Sequence, residues 1–197
     1  MSQYFNENPN ALTQERVLPL SIFGRDFSFL SNNGLFSCTK VDEASITLMK
    51  NIPTLSGTLL DLGCGYGPIG VVLGTVYPLQ VTMSDINRIA LDYARKNARR
   101  NGVKAQFVHS DGFESLPFEY DNIVLNPPIH TGKNVVNRLY TGAAEHLAPG
   151  WVLYIVIHKK HGAESTIKTL SEIFHRCCVL YRKKGLYVLS CERADAK

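Results

Sequence analysis

The chain has 197 residues, 45% hydrophobic and 19% charged, with a formal net charge of +4; these are the proportions of a globular protein large enough for one sizeable core. No apolar run approaches the ~20 residues of a membrane span, and the start, MSQYFNENPNALTQER, has neither the basic end nor the apolar centre of a leader, so a cytoplasmic protein with no membrane partner is expected. The cysteines at 38, 64, 177, 178 and 191 are odd in number and form no Cys-x-x-Cys, which argues for reduced thiols and against a metal site, while the modest positive charge permits a polyanionic partner without requiring one.

The first dozen residues are polar and include Pro9, the composition of a surface tail. VLPLSIF (17–23) and FSFL (27–30) flank Gly24-Arg25-Asp26 and predict a strand pair running into the turn Asn32-Asn33-Gly34. Residues 1–40 are therefore read as a tail and β flap of the same domain as residues 41–197. Val41, Ala44, Leu48 and Ile52 recur at helical spacing, Thr39 and Asp42 have the capping-box pattern, and Pro53 ends the run. GTLLDL (57–62) is a strand that stops at Gly63-Cys64-Gly65-Tyr66-Gly67, and PIGVVLGTVY (68–77) is a helix with Pro68 in its first turn. LQVTMSD (79–85) is a strand, and Asn87 to Asn101 a helix burying Ile89, Ala90, Tyr93 and Ala94. The strand KAQFVH (104–109), the loop SDGFESLPFEY (110–120), the strand DNIVL (121–125) and the loop NPPIHTGK (126–133) follow. A helix carrying Val136, Leu139, Ala143 and Leu147 runs to Pro149-Gly150, and WVLYIVIH (151–158) is apolar enough for a strand buried on both faces. A helix at 163–174 and a hairpin of CCVLY (177–181) and LYVLSC (186–191) close the chain. This alternation predicts an α/β fold: a doubly wound, mostly parallel sheet with a C-terminal antiparallel hairpin and a small N-terminal β flap.

In such sheets ligands bind beyond the carboxyl ends of the strands, where the winding switches direction. Asp61 to Gly67, Asp85, Asp111 and Asn126 all fall at such ends. Glycines at 63, 65 and 67 let the backbone approach a ligand closely, and the helix behind them presents free N–H groups. Pro68 stands where the dinucleotide fingerprint has its last glycine, so a nicotinamide oxidoreductase is disfavoured. Asp85, 22 positions after Gly63, lies near the ~20 at which a carboxylate meets ribose hydroxyls; its alternative role is to complement a helix N-terminus. Asp111 can accept from an adenine amino group, with Gly112 giving access and Phe113 packing on the ring, or it is a turn residue. Asp61, among leucines, needs either a cationic ligand group or the N–H donors of the loop. Asn126-Pro127-Pro128-Ile129 is the sharpest signal: two prolines stiffen the loop and remove N–H donors, leaving outward carbonyls and the Asn oxygen as acceptors. Such a site suits a planar amino group whose lone pair is turned toward an electrophile.

In this order, DLGCGYG, Asp85, Asp111 and NPPI resemble the class I S-adenosylmethionine-dependent methyltransferases, and NPPI resembles the branch that methylates exocyclic amino or amide nitrogens. YFNENP, GLFS (34–37), VDEAS (41–45), NPPIHTGK and HKKHGA (158–163) resemble the small methyltransferase domain of the ribosomal small-subunit RNA guanine-N2 methyltransferases, from about Tyr4 onward. The resemblance implies a seven-stranded Rossmann-like sheet, S-adenosyl-L-methionine as cofactor, and ribosomal RNA or the small ribosomal subunit as partner. It implies that Asp61, Gly63, Cys64, Gly65 and Gly67 take the methionine part, Asp85 and Ile86 the ribose, and Asp111, Gly112 and Phe113 the adenine. Phe36, Ser37 and Lys40 would line the site from the flap, and Asn126, Pro127, Pro128 and Ile129 would orient the acceptor nitrogen. Many relatives carry an aromatic residue where this chain has Ile129; Phe36 or His130 could stack on the base instead. The best-known members carry a further N-terminal domain ahead of the resembling region, so the modified RNA position is not carried over. Adenine N6, a protein glutamine amide, or cofactor binding without catalysis are the competing readings.

Outside these motifs, Arg95, Lys96, Arg99, Arg100 and Lys104 read as a solvated helix face, with Asp92 spaced to pair with Lys96. His158, Lys159, Lys160 and His161, joined by Lys133, follow strands at the ligand edge, where phosphate contacts to RNA or plain loop polarity would place them. Cys64 has no basic neighbour in sequence and reads as a small filler, and Trp151 as core packing.

Overall fold

The structure, a computed structural model, describes residues 15–117 and 119–195. The polar tail and the YFNENP motif lie outside the described residues. β1 (Glu15–Ile22) and β2 (Arg25–Asn32) pair antiparallel through Phe23 and Gly24, at φ 54° and 69°, the left-handed pair that suits a two-residue hairpin turn. α1 (Glu43–Asn51), β3 (Gly57–Leu62), α2 (Pro68–Val76), β4 (Leu79–Asp85), α3 (Arg88–Arg100), β5 (Ala105–His109) and β6 (Tyr120–Leu125) follow. The remainder is α4 (Lys133–His146), β7 (Leu147–His158), α5 (Ala163–Ile173), β8 (Arg176–Lys183) and β9 (Leu186–Glu192).

Seven strands form one sheet in the order β5-β4-β3-β6-β7-β9-β8. The first five are parallel, β9 runs antiparallel to β7, and β8 antiparallel to β9, so the doubly wound sheet with its closing hairpin is as expected. From β3 the chain winds outward through β4 and β5, then returns to the other side of β3 for β6. This reversal opens a cleft at the carboxyl ends of β3, β4 and β6. Alternating side chains fill both faces: Leu59, Val124 and Val156 pack with Leu48, Val71, Ala94 and the flap's Phe29, while Leu60, Leu125 and Ile155 pack with Tyr140 and Leu170. Trp151 packs at the margin of the second core. Among the described residues no helix is long and apolar enough to cross a membrane, and no cluster is arranged to hold a metal ion.

Two asparagines of α3 and its C-terminal end anchor the flap. The buried Asn97 accepts from Leu30 N–H (2.6 Å) and donates to the carbonyls of Leu30 (2.9 Å) and Tyr66 (2.8 Å). Asn101 accepts from Ser28 N–H (3.2 Å) and donates to the Ser28 carbonyl (3.0 Å). A side-chain amide offers the donor and acceptor of a peptide group, so α3 serves β2 as a neighbouring strand would, and Asn97 also ties the flap to the glycine loop.

Three expectations are corrected. Asp42, not Thr39, caps α1: its carboxylate accepts the Ser45 N–H at 3.0 Å, which starts the helix later than the capping-box pattern suggests. α4 ends at His146, because Leu147 pairs with Tyr120 and opens β7; a register shift between Tyr120 and Asn122 lets the strand absorb Pro149 and Gly150. Asp92 pairs with Arg95 (2.8 Å) rather than Lys96, whose ammonium is drawn to Glu15 (3.6 Å) and the Tyr93 ring.

Candidate active site

β3 ends at Leu62, and the chain turns through Gly63 to Gly67 before α2 starts at Pro68. Gly67 is the N-cap at φ 85°, and a Cβ there would lie 3.2 Å from both Ala94 Cβ and Met83 Sδ, so backbone and space both demand glycine. At Gly63 and Gly65 a Cβ would meet no protein atom within 4 Å; it would stand in the open cleft, where a ligand can approach the backbone. The loop is held by Cys64 N–H to the Ser84 carbonyl (2.9 Å) and by Gly65 N–H to Asp85 Oδ2 (2.8 Å).

Asp61 lies beneath this loop, buried, with Oδ2 accepting the Gly70 N–H at 2.8 Å. Burial pushes its pKa from 3.8 to about 7; the Gly70 N–H pulls it down and the charge of Asp85 pushes it up further. The N–H donor it meets comes from the first turn of α2 rather than from the glycine loop. Burial likewise pushes the Cys64 thiol up, reinforced by Asp85 and Asp61, and a thiol held protonated is a poor nucleophile.

The cleft has two lobes that share Gly63, Asp85 and Asn126. One is walled by Ile86, Ser110, Asp111, Gly112, Val135 and Leu139; the other by Phe36, Ser37, Asp42, Ser45, Cys64 and Tyr66. At the junction, Asp85 Oδ1 accepts from Asn87 N–H and Oδ2 from Gly65 N–H, each at 2.8 Å. Burial raises its pKa against these bonds and the nearby His109. Each oxygen keeps lone pairs for further donors. His109 Nε2 donates to the Ile86 carbonyl at 2.8 Å and fixes that strand end.

Asp111 borders the first lobe, with Oδ1 paired to Arg138 at 2.5 Å. Phe113 does not line this lobe: its ring packs on His146, 4.4 Å between centroids, and against Gly142 of α4. The apolar wall comes instead from Ile86, Leu125, Val135 and Leu139. Lys40 lines neither lobe; its carbonyl accepts the Ser37 hydroxyl (2.7 Å) and its side chain stays exposed, leaving Phe36 and Ser37 as the flap's contribution.

Asn126 follows the last residue of β6 and lines both lobes. Its Nδ2 donates to Asp42 Oδ2 (2.9 Å) and Ser45 Oγ (3.1 Å), and its Oδ1 meets no donor among the described residues. The two proline carbonyls are less free than expected. Pro127 accepts the Ile129 N–H (2.9 Å) and Pro128 accepts the N–H and hydroxyl of Thr131 (3.0 and 2.7 Å), because residues 129–131 form a tight helical turn. Pro127 retains one lone pair, so Asn126 Oδ1 is the principal open acceptor.

Ile129, His130 and Lys133 line a neighbouring cavity with His161, Asn137, Tyr140 and Thr166. The rings of His130 and His158 lie 6.0 and 5.4 Å from that of His161. Lys159 and Lys160 stand exposed on the turn between them. Site residues that the sequence does not single out include Asp42, Ser45, Tyr66, Ser110, Leu125, Val135 and Leu139. Several have a local role that masks the one at the site: Asp42 and Ser45 belong to a helix start, and Leu139 holds a core position.

A doubly wound seven-stranded sheet with a glycine loop, strand-end carboxylates and Asn-Pro-Pro on one edge is a class I methyltransferase fold. The chain belongs to the methyltransferase small domain family, whose profile matches residues 26–190. It is 35% identical over 196 residues to the uncharacterised protein YbxB of Bacillus subtilis, spanning 96% of this chain and 98% of that one. It is 37% identical over 153 residues to the ribosomal RNA small subunit methyltransferase C of Pseudomonas aeruginosa, spanning 75% of this chain and 46% of that one. Among solved structures, the T. thermophilus 16S rRNA N2 G1207 methyltransferase in complex with AdoMet and guanosine aligns with a TM-score of 0.83 at 29% identity, over 91% of this chain and 50% of that one. The chain thus spans about half the length of these ribosomal methyltransferases.

Proposed function

We propose that the chain is a cytoplasmic S-adenosylmethionine-dependent N-methyltransferase that modifies the exocyclic amino group of guanine in small-subunit ribosomal RNA. The observation that carries this reading is the Asn126 amide, held with its oxygen open where the two lobes meet. The cleft fits the cofactor by its chemistry: backbone open at Gly63 and Gly65, a carboxylate at the junction, and an apolar wall beyond it. When bound, the cofactor supplies an electrophilic methyl group on a sulfonium.

The chain's own residues then bind and orient. The glycine loop with Ser37 holds the methionine part, Asp85 with Ile86 the ribose, and Asp111, Gly112 and Leu139 the adenine. Asn126 Oδ1 and the remaining lone pair of Pro127 accept the two N–H bonds of the amino group, which turns the nitrogen lone pair toward the junction. The proton leaves to water after transfer, and no side-chain base is called upon. Phe36, exposed at the mouth of the second lobe, supplies the base stacking that Ile129 lacks. His130, Lys133, His158, Lys159 and Lys160 contact flanking phosphates. The similarity to a guanosine-bound ribosomal methyltransferase supports the choice of base.

The test is methyl transfer from labelled S-adenosylmethionine to naked RNA and to small subunits from a strain lacking the protein, with mass-spectrometric mapping. Label on guanine N2 of the small-subunit RNA is expected. Label on adenine, DNA or a protein glutamine instead overturns the substrate assignment.

A further inference from the structure

The Asn126 amide is not oriented by its own loop. Both of its N–H bonds end on the start of α1: one on Asp42 Oδ2 at 2.9 Å, the other on Ser45 Oγ at 3.1 Å. The Ser45 hydroxyl in turn lies 3.3 Å from the same Asp42 oxygen, and the Ser45 N–H reaches it at 3.0 Å. We infer that Asp42, assisted by Ser45, is a positioning residue that fixes which end of the Asn126 amide faces the acceptor nitrogen.

Donors and acceptors decide the orientation. An amide has two ends of nearly equal size, and the shape of a loop cannot tell them apart. An ionised carboxylate can: it only accepts, so only the NH2 end can face it, and a flipped amide would set two acceptors against each other. The Ser45 hydroxyl points its proton at Asp42 and offers its lone pair to Asn126, which makes the triad consistent in every bond. The platform is also fixed. Asp42 is the N-cap of α1, and Ala44, Leu48 and Met49 bury that helix in the core. With the NH2 end committed, Oδ1 is the part that faces the cleft, and it can only accept. A site so arranged selects an N–H donor and sets its direction, which is the demand made by transfer to an amino group. The inference rests on the amino-group reading above.

The decisive variant is Asp42→Asn. Asparagine caps a helix as well as aspartate does, so α1 is kept, but its amide can both donate and accept, and Asn126 is then free to adopt either orientation. Two measurements separate the outcomes. In 15N spectra of the full chain, the Asn126 side-chain NH2 pair, assigned by its loss in Asn126→Ala, is expected to shift and to exchange about tenfold faster in Asp42→Asn than in wild type, as its charged acceptor is gone. In steady-state methylation, kcat is expected to fall roughly 10- to 100-fold, the scale of a small misplacement, with KM for RNA and affinity for S-adenosylmethionine changed less than about threefold. Ser45→Ala, which leaves the carboxylate bond, is expected to lose only about 3- to 10-fold in kcat. Unchanged kcat and an unchanged Asn126 signal in Asp42→Asn overturn the inference. So does a loss of cofactor affinity that matches the loss of kcat, since Asp42 would then act on the cofactor itself. If wild type methylates no RNA, the substrate reading fails while the spectrum still decides the role of Asp42.

Discussion

Replacing Asp61 with asparagine isolates the charge buried beneath the glycine loop. Asparagine keeps the volume and an oxygen for the Gly70 N–H, and it mimics the protonated acid at every pH. In the folded chain burial raises the Asp61 pKa from 3.8 to about 7. Well below pH 4 the carboxyl is protonated in both folded and unfolded chains and costs nothing. Between about pH 4 and pH 7 the unfolded chain releases the proton while the folded chain retains it, so stability falls with rising pH at about 1.4 kcal/mol per pH unit. Above pH 7 both states are ionised, and the accumulated loss levels off at about 4 kcal/mol. Asp61→Asn should therefore gain on wild type from about pH 4 onward, steadily to pH 7. Urea unfolding of both proteins at half-unit steps from pH 4 to 8, at fixed ionic strength, measures the difference, in which every titrating group not coupled to Asp61 cancels. Parallel profiles across that range would refute the reasoning, because Asp61 would then ionise in the fold as readily as in the unfolded chain.

Three further outcomes follow from named contacts. Asn126→Ala should abolish transfer while S-adenosylmethionine affinity, measured calorimetrically, stays within about threefold, since the side chain is assigned to the acceptor nitrogen. Asp85→Asn, which removes the carboxylate at the junction of the lobes, should weaken S-adenosylmethionine binding about 10- to 100-fold, the value of a hydrogen bond to a charged group. Asn97→Leu leaves the N–H and carbonyl of Leu30 and the carbonyl of Tyr66 without their partner; a loss of about 3–5 kcal/mol is expected in urea unfolding, with β2 losing hydrogen-exchange protection before the sheet does.

The sheet was legible because its signals are local. GTLLDL and LQVTMSD occupy β3 and β4 residue for residue, and Asn87 caps α3 where a polar residue precedes an amphipathic run. The errors fall where a distant partner decides. Leu147 fits the helical period of α4, but Tyr120 claims it for β7. Phe113 stands beside Asp111 in sequence, yet the surface that buries its ring is on α4. The site was legible at strand ends, where topology alone brings Asp85 and Asn126 together. Its other wall was not: Asp42 explains itself locally as a helix cap, and nothing in the sequence says that the same oxygen also receives an amide 84 residues away.

The charges around the cleft imply a division of labour for the proposed reaction. The methyl donor is cationic at sulfur and loses that charge as the methyl leaves, so carboxylates on the cofactor lobes favour the state before transfer. Asp85 at the junction of the lobes therefore strengthens cofactor binding and opposes the chemical step. The rate must then come from alignment of nitrogen, methyl and sulfur, which can contribute roughly 7–11 kcal/mol when the approach is well oriented. The groups facing the nitrogen suit such alignment, since Asn126 and Pro127 are uncharged acceptors on a loop stiffened by two prolines and braced against a buried helix. Asp61, which the fold keeps predominantly protonated below pH 7, adds no full charge beneath the loop in that range. After transfer the sulfur is neutral, and the same carboxylate holds the product less tightly than the donor. A carboxylate on the donor's side and neutral acceptors on the nitrogen's side thus favour capture of the donor, alignment of the acceptor and release of the demethylated product in turn.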